Sequence, residues 1–256
     1  MCSEHSEFRV GAIVPTYRHV TALPAILATL SQMQIPVIVV DDGNSEENRR
    51  AIESACSAVP GVRYVRRAEN GGKGQAVKTG LLAAGEQDWS HAIQIDADGQ
   101  HDLAEIQPMI ALARAAPGKV ICAVPVYDDT IPKSRRIGRE ITHFWVRIET
   151  MGGEISDSMC GFRIYPLDET LHVVRREFIG ARMDFDTELL VQLNWRGLRV
   201  VEHPVRVTYP EGNVSNFRML SDNVRISAMH TRLVLQAPVR VPIRSARRAL
   251  LGRYEA

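Results

Sequence analysis

Short apolar runs alternate with amphipathic stretches along the first half of the chain, at a spacing that predicts strands and helices in turn. Phe8 to Val14 reads as a first strand, stopped by Pro15. Thr21 to Met33 follows as a helix, with Thr21 placed to cap it and Pro24 in its first turn. Ile35 to Val40 is apolar on both faces, the pattern of a central parallel strand. Glu46 to Ala58 is the next helix, Val62 to Val65 a short strand and Lys73 to Ala84 a further helix. His91 to Ile95 is strand-like. Asp102 to Ala115 is helical, with Pro108 predicting a kink or a late start, and Val120 to Val124 is another buried strand. Such alternation predicts an α/β fold: a right-handed, mostly parallel central sheet flanked by helices.

Beyond Pro125 the pattern changes. Tyr127 to Arg136 is polar and loop-like, and Ile137 to Glu149 is an amphipathic helix. Asp157 to Tyr165 reads as a turn into a strand. Phe185 to Asn194 is helical, with Gly197 as its C-terminal cap, and Leu198 to Tyr209 alternates as a strand. A helix over Asn216 to Leu235 precedes a tail. From Thr231 onward that tail carries Arg232, Arg240, Arg244, Arg247, Arg248 and Arg253 against Glu255 alone. Two readings stand: contact with an anionic membrane surface, or a solvated, disordered end. The expected organisation is one domain over 1–230, with halves at 8–125 and 126–230, and a basic tail over 231–256.

Composition narrows the class. The chain has 256 residues, 45% hydrophobic and 24% charged, with a net charge of +1, so it can bury a large core and offers no overall argument for nucleic acid. Cys2, Cys56, Cys122 and Cys160 lack metal-ligand spacing and read as free thiols of a reducing cytoplasm. The N-terminus lacks the basic-then-apolar pattern of a secretion signal. No window approaches the ~18 consecutive apolar residues of a membrane span. The expected location is cytoplasmic, at most peripheral on the cytoplasmic face of a membrane.

Candidate chemistry gathers at strand ends. The run Ile93 to Ile95 ends in Asp96-Ala97-Asp98-Gly99-Gln100. Two acids at the carboxyl end of a buried strand are costly unless a cation sits between them, and Mg²⁺ or Mn²⁺ suits carboxylate oxygens. The alternative is that both acids cap the following helix. An EF-hand is excluded, because Gly99 comes too early and Gln107 stands where the bidentate glutamate belongs. A second run ends in Asp41-Asp42-Gly43-Asn44. Between the two lies Asn70-Gly71-Gly72-Lys73-Gly74, a turn offering bare backbone N–H groups, a positive helix end and a lysine to phosphates. Gly74 after the lysine excludes a P-loop, and Val77 at the third glycine position excludes a dinucleotide fingerprint. A tight turn that needs glycine is the competing reading.

Four segments over residues 10 to 102, VPTYRH, VIVVDDGN, ENGGKGQAVKTG and QIDADGQHD, resemble in order and spacing the donor-binding half of family-two glycosyltransferases of GT-A fold. The GKG turn and the DADGQH string are similar to the polyprenyl-phosphate, dolichol-phosphate mannose synthase-like branch. DSMCGFRIYP resembles that branch's aspartate-then-GFR segment. FDTELLVQLNWRG resembles an acceptor-side helix that in many members begins Glu-Asp. His19 departs from the pattern, standing where many relatives carry glutamate.

The resemblance implies an inverting, metal-dependent transfer from a UDP- or GDP-sugar to a lipid phosphate or to a glycan or glycolipid hydroxyl. By position, Pro15, Tyr17, Asp41 and Asp42 would hold base and ribose, with Asp41 favoured and Asp42 alternatively a turn former. Lys73 would lie near the diphosphate. Asp96, Asp98 and Gln100 would hold Mg²⁺ or Mn²⁺, with Asp96 also at the nucleotide. A lipid phosphate needs cations, for which Arg135, Arg136, Arg139 and Arg163 are candidates, with Arg218 or Ser215 also touching phosphate. A hydroxyl acceptor needs a base. Asp186 matches the family aspartate, Asp184 is the reserve, and Asp157 would orient the site. His143, His172, His203 and His230 read as structural, and Trp145 and Trp195 as packing anchors. Two other classes remain. A sugar-phosphate nucleotidyltransferase would want a glycine-rich loop after the first strand, which PTYRHVTAL is not. A non-catalytic nucleotide-sugar scaffold would not require Asp96 and Asp98.

Overall fold

In a computed structural model, residues 7–126, 133–152, 154–207 and 217–251 are described, those at 133–136, 250 and 251 by backbone alone. The apolar runs form strands β1 (Val10–Thr16), β2 (Val37–Asp42), β3 (Val62–Arg67), β4 (His91–Gln94) and β5 (Val120–Val126), followed by β6 (Arg163–Pro166) and β7 (Val200–Arg206). Every residue of β2 is buried, as its two apolar faces predict. The sheet runs β3-β2-β1-β4-β6-β5-β7, and β6 alone is antiparallel to its neighbours.

The helices are α1 (Leu23–Gln32), α2 (Glu46–Ser57), α3 (Lys73–Ala84), α4 (Ile106–Ala115), α5 (Lys133–Thr150), α6 (Leu167–Arg176), α7 (Phe185–Arg196) and α8 (Met219–Leu251). Two cores lie on the two faces of the sheet. One joins α1, α2 and α4 to Ala12, Val14 and Val39; the other joins α3, α6, α7 and α8 to Ile13, Ile38 and Val40. Neighbouring residues of a strand thus feed opposite layers.

Several expectations change. β1 runs through Pro15 to Thr16 rather than stopping at the proline. Its pairing with β4 ends at Ile13, so the missing N–H of Pro15 removes no bond on that side. α1 starts at Leu23 after Ala22, and Thr21 does not cap it. Pro108 marks a late start: a single 3₁₀ turn over Leu103–Glu105 precedes α4. α6, with no counterpart in the sequence reading, begins as soon as β6 ends.

The largest change is α8. The expected helix end at Leu235 and the domain boundary after residue 230 both fall inside a helix that continues to Leu251 through Pro238 and Pro242. Four of its arginines turn inward, while Arg253 lies outside the described residues. Arg232 pairs with Glu188 at 2.6 Å, Arg240 with Glu177 at 2.7 Å and Arg248 with Glu154 at 2.7 Å. Arg244 donates to Thr150 O and Asn194 Oδ1. Of the six arginines read as available to an anionic surface, these four are engaged with the protein's own oxygens. α8 also buries Met229, Leu233 and Ala237 in the core. Leu233→Ala is expected to destabilise the whole domain by about 2–5 kcal/mol, read as one cooperative shift in urea unfolding. Loss of α8 alone, with the sheet intact, would show it to be an appendage.

Candidate active site

The carboxyl ends of β1, β2 and β4 open onto a cavity of about 1670 Å³ that continues between α5 and α8. Pro15, Tyr17, Asp42, Lys73, Asp96, Asp98, Gln100, Arg139 and Arg218, all expected site residues, lie in its wall.

The two β2 acids separate by strand alternation. Asp41, the acid favoured for the base, is fully buried, accepts from Asn44 N (2.9 Å), Asn44 Nδ2 (2.7 Å) and Tyr64 Oη (2.8 Å), and is outside the cavity lining. Asp42 lines the cavity and closes the glycine turn. It accepts from Gly71 N (3.0 Å), Gly72 N (2.8 Å), Asn70 Nδ2 (2.9 Å) and Arg67 Nε (2.8 Å). The Gly71 and Gly72 amides, expected bare for phosphate, are therefore occupied by the carboxylate next door. Gly72 has φ +95°, and an added Cβ would meet Ala181 O at 2.9 Å, so only glycine serves.

Lys73, the first residue of α3, lies at the cavity floor between two acids, 2.8 Å from Asp96 Oδ2 and 2.8 Å from Asp186 Oδ2. Burial alone would lower its pKa; Asp186 first and Asp96 next outweigh it and hold the ammonium above its ordinary value. For Asp96, burial pushes the carboxyl up, and Lys73 more than reverses this. Asp96 Oδ1 is buried with no hydrogen-bond partner among the described residues. Asp98 Oδ1 accepts the Gln100 amide at 3.1 Å. Among the described residues no three His, Cys, Asp or Glu side chains form a closed metal cage. What is present is an open set of hard oxygens, Asp96, Asp98 and Gln100, on one wall; the unmet Asp96 oxygen suits a dication completed by phosphate oxygens.

Besides Asp41, four expected residues are outside the cavity wall: Arg163, Asp184, Asp157 and Asp186. Arg163 is fully buried and donates to Asp186 O and Ser158 O, both at 2.6 Å, because β6 places it beneath the site. Asp184 sits at the head of α7 and accepts the Arg182 amide at 3.0 Å. Asp157 pairs with Arg139 and accepts the amides of Met159 and Cys160, both at 2.8 Å, so it orients a loop of the wall. Asp186 is buried beside Lys73, outside the lining. Arg135 and Arg136 fall in the first turn of α5, and their side chains, like Ser215, lie outside the described residues.

Other lining residues escaped the sequence reading. His101 stacks on Phe162 with centroids 4.9 Å apart, and burial lowers its pKa. Gly161 backs the lysine: an added Cβ would lie 2.5 Å from Lys73 Nζ and 2.6 Å from Gln94 Nε2. Trp145, read as a packing anchor, is 38% exposed in the cavity wall, whereas Trp195 is buried and donates to Glu149 O. His230 pairs with Glu149 at 2.6 Å across α8 and α5 and also lines the cavity, and His203 pairs with Glu105 at 2.6 Å.

Glycosyl transferase family 2 matches residues 12–180. The chain is similar to an undecaprenyl-phosphate mannosyltransferase of Micrococcus luteus, 26% identical over 82% of this chain and 87% of the relative. It is similar to a polyprenol monophosphomannose synthase of Mycolicibacterium smegmatis, 26% identical over 85% of this chain and 83% of the relative. Among solved structures, S. aureus TarS in complex with UDP-GlcNAc superposes with a TM-score of 0.62 at 14% identity, over 93% of this chain and 69% of that one. The mannosyltransferase PcManGT from Pyrobaculum calidifontis, in complex with GDP-Man and Mn²⁺, gives 0.58 at 16% identity, over 98% of this chain and 77% of that one. At these identities the structural likeness is one of fold, and the fold is the GT-A type that the four sequence segments implied.

Proposed function

The chain belongs to glycosyl transferase family 2 and is a glycosyltransferase, and from that premise we propose that it moves a sugar from a UDP- or GDP-sugar to the phosphate of a polyprenyl-type lipid, with inversion at the anomeric carbon. The observation that carries this reading is the continuity of one cavity from the strand-tip acids to the groove between α5 and α8. Pro15 and Tyr17 line the end suited to base and ribose, and Lys73 presents a cation on the floor for the diphosphate. Asp96, Asp98 and Gln100 would hold Mg²⁺ or Mn²⁺. Such an ion neutralises the charge that grows on a departing nucleoside diphosphate, worth several kcal/mol. A lipid phosphate is already an anion and needs no base, only cations to place it; Arg139 and Arg218 stand in the wall for that task. Relatives named for undecaprenyl and dolichyl phosphates support the acceptor class.

The groove walls support a lipid source. On α5, Ile137, Ile141, Phe144 and Ile148 are exposed at helical spacing, with Met151 just beyond its end, while Thr142, Val146 and Glu149 face inward. On α8, Leu220, Val224, Leu235 and Val239 are exposed, and positions 228, 231, 242 and 246 of that face are Ala, Thr, Pro and Ala, without a charge. Among the described residues no helix is long and apolar enough to cross a membrane. These faces suit shallow burial at a bilayer surface, beside the groove's mouth. Val224→Glu with Val239→Glu is expected to cut co-sedimentation with anionic vesicles on the order of tenfold, leaving nucleotide affinity in solution unchanged. Equal sedimentation would remove these faces from membrane contact.

The function is tested by incubating the full chain with UDP- and GDP-sugars, Mg²⁺ or Mn²⁺, and either a polyprenyl phosphate or a soluble glycan. The expected result is metal-dependent sugar transfer to the lipid phosphate. Transfer to the glycan alone would move the acceptor to a hydroxyl. Measurable nucleotide-sugar binding without transfer or hydrolysis would favour the scaffold.

A further inference from the structure

Asp186, the match to the family aspartate, has both carboxylate oxygens engaged. Oδ2 is held by Lys73 at 2.8 Å, and Oδ1 accepts from Gln94 Nε2 at 2.9 Å. Gln94 is itself fixed, because its Oε1 accepts from Tyr165 Oη at 3.1 Å. Asp186 is 4% exposed, and Gln94 and Tyr165 are fully buried. Beneath them the Arg163 guanidinium takes the Asp186 carbonyl, pinning the first turn of α7. The row Tyr165–Gln94–Asp186–Lys73–Asp96 is thus a continuous chain, buried as far as Asp186 and partly exposed at Lys73 and Asp96 on the cavity floor. A proton acceptor for an incoming hydroxyl must have a lone pair within reach of the acceptor; Asp186 is outside the cavity lining and its oxygens face a glutamine and an ammonium.

We propose that Asp186 is a positioning residue: with Gln94 and Tyr165 behind it, it fixes the Lys73 ammonium as a standing cation for the donor's diphosphate, and it takes no proton in the reaction. Asp96 shares the same ammonium in the donor-free protein. When a diphosphate arrives, Lys73 turns one bond from Asp96 to a phosphate oxygen while Asp186 keeps it in place, and Asp96 is released toward the cation side of the site. One ammonium between two carboxylates leaves one net negative charge, borne on the side of Asp96, whose Oδ1 has no partner among the described residues. Without Asp186, Lys73 would collapse onto Asp96 and be lost to the donor. This inference rests on the donor-site reading above.

The test is titration of UDP and GDP into the full chain in EDTA, so that lysine, not metal, is read. Asp186→Asn and Lys73→Met are each expected to weaken the better-bound nucleotide by about tenfold or more, and Tyr165→Phe by roughly twofold. In the Lys73→Met background, Asp186→Asn is expected to have no further effect, a coupling that a merely structural aspartate would not show. Unchanged nucleotide affinity in Asp186→Asn, with turnover lost, would make Asp186 a base and overturn this inference alone. A wild-type chain that binds neither nucleotide would overturn the donor-site reading and this inference together. Tyr165→Phe keeps the question open to decision should Asp186→Asn fold poorly, since it removes one hydroxyl and no charge.

Discussion

Asp98→Ala is expected to fold as the parent does and to lose sugar transfer by on the order of a thousandfold, which corresponds to about 4 kcal/mol of lost charge stabilisation. The side chain is only partly buried, and among the described residues it accepts from the Gln100 amide two residues on, so removal leaves little unmet there. Asp96 differs, because its carboxylate holds Lys73 and its loss would mix two effects. The measurement pairs turnover with UDP and GDP affinity at varied Mn²⁺. The parent's affinity should rise with metal and that of Asp98→Ala should not. Unchanged turnover in Asp98→Ala would end the metal role assigned to this wall.

Gly161→Ala is expected to keep the fold and weaken donor affinity on the order of a hundredfold, the scale of a misplacement of about 1 Å at a reacting centre. The added methyl meets side-chain ends rather than backbone: Lys73 Nζ at 2.5 Å, Gln94 Nε2 at 2.6 Å and Asp96 Oδ2 at 3.2 Å. Side-chain ends can move, so the domain survives, but Lys73 and Asp96 form the cavity floor and Gln94 stands directly behind them. The expected signature is a thermal midpoint near the parent's with nucleotide affinity lost. A large fall in the midpoint with nucleotide affinity intact would reverse this account and make Gly161 a packing glycine.

Much of the architecture was open to reading because it is written in neighbours along the chain. Apolar runs at strand length, Ser45 capping α2 by accepting the Asn48 amide, and Gly197 ending α7 in the left-handed region are local effects. The same holds for the acids at the end of β4 and the lysine opening α3. Strand alternation even contains the separation of Asp41 from Asp42. Choosing between them, however, required knowing that the glycine turn closes on the α3 side of the sheet.

What sequence alone determined is therefore the α/β alternation and which strand tips carry acids, glycines and a lysine, since period, propensity and turn chemistry act over a few residues. Tertiary structure decided the partners. It inserted β6 antiparallel between β4 and β5, buried Arg163, gave Lys73 to Asp186 as well as Asp96, and turned four arginines of α8 inward, with Arg248 meeting Glu154 across 94 positions. Charges pair with whatever the packed chain brings within about 4 Å, and separation along the sequence carries no record of that distance.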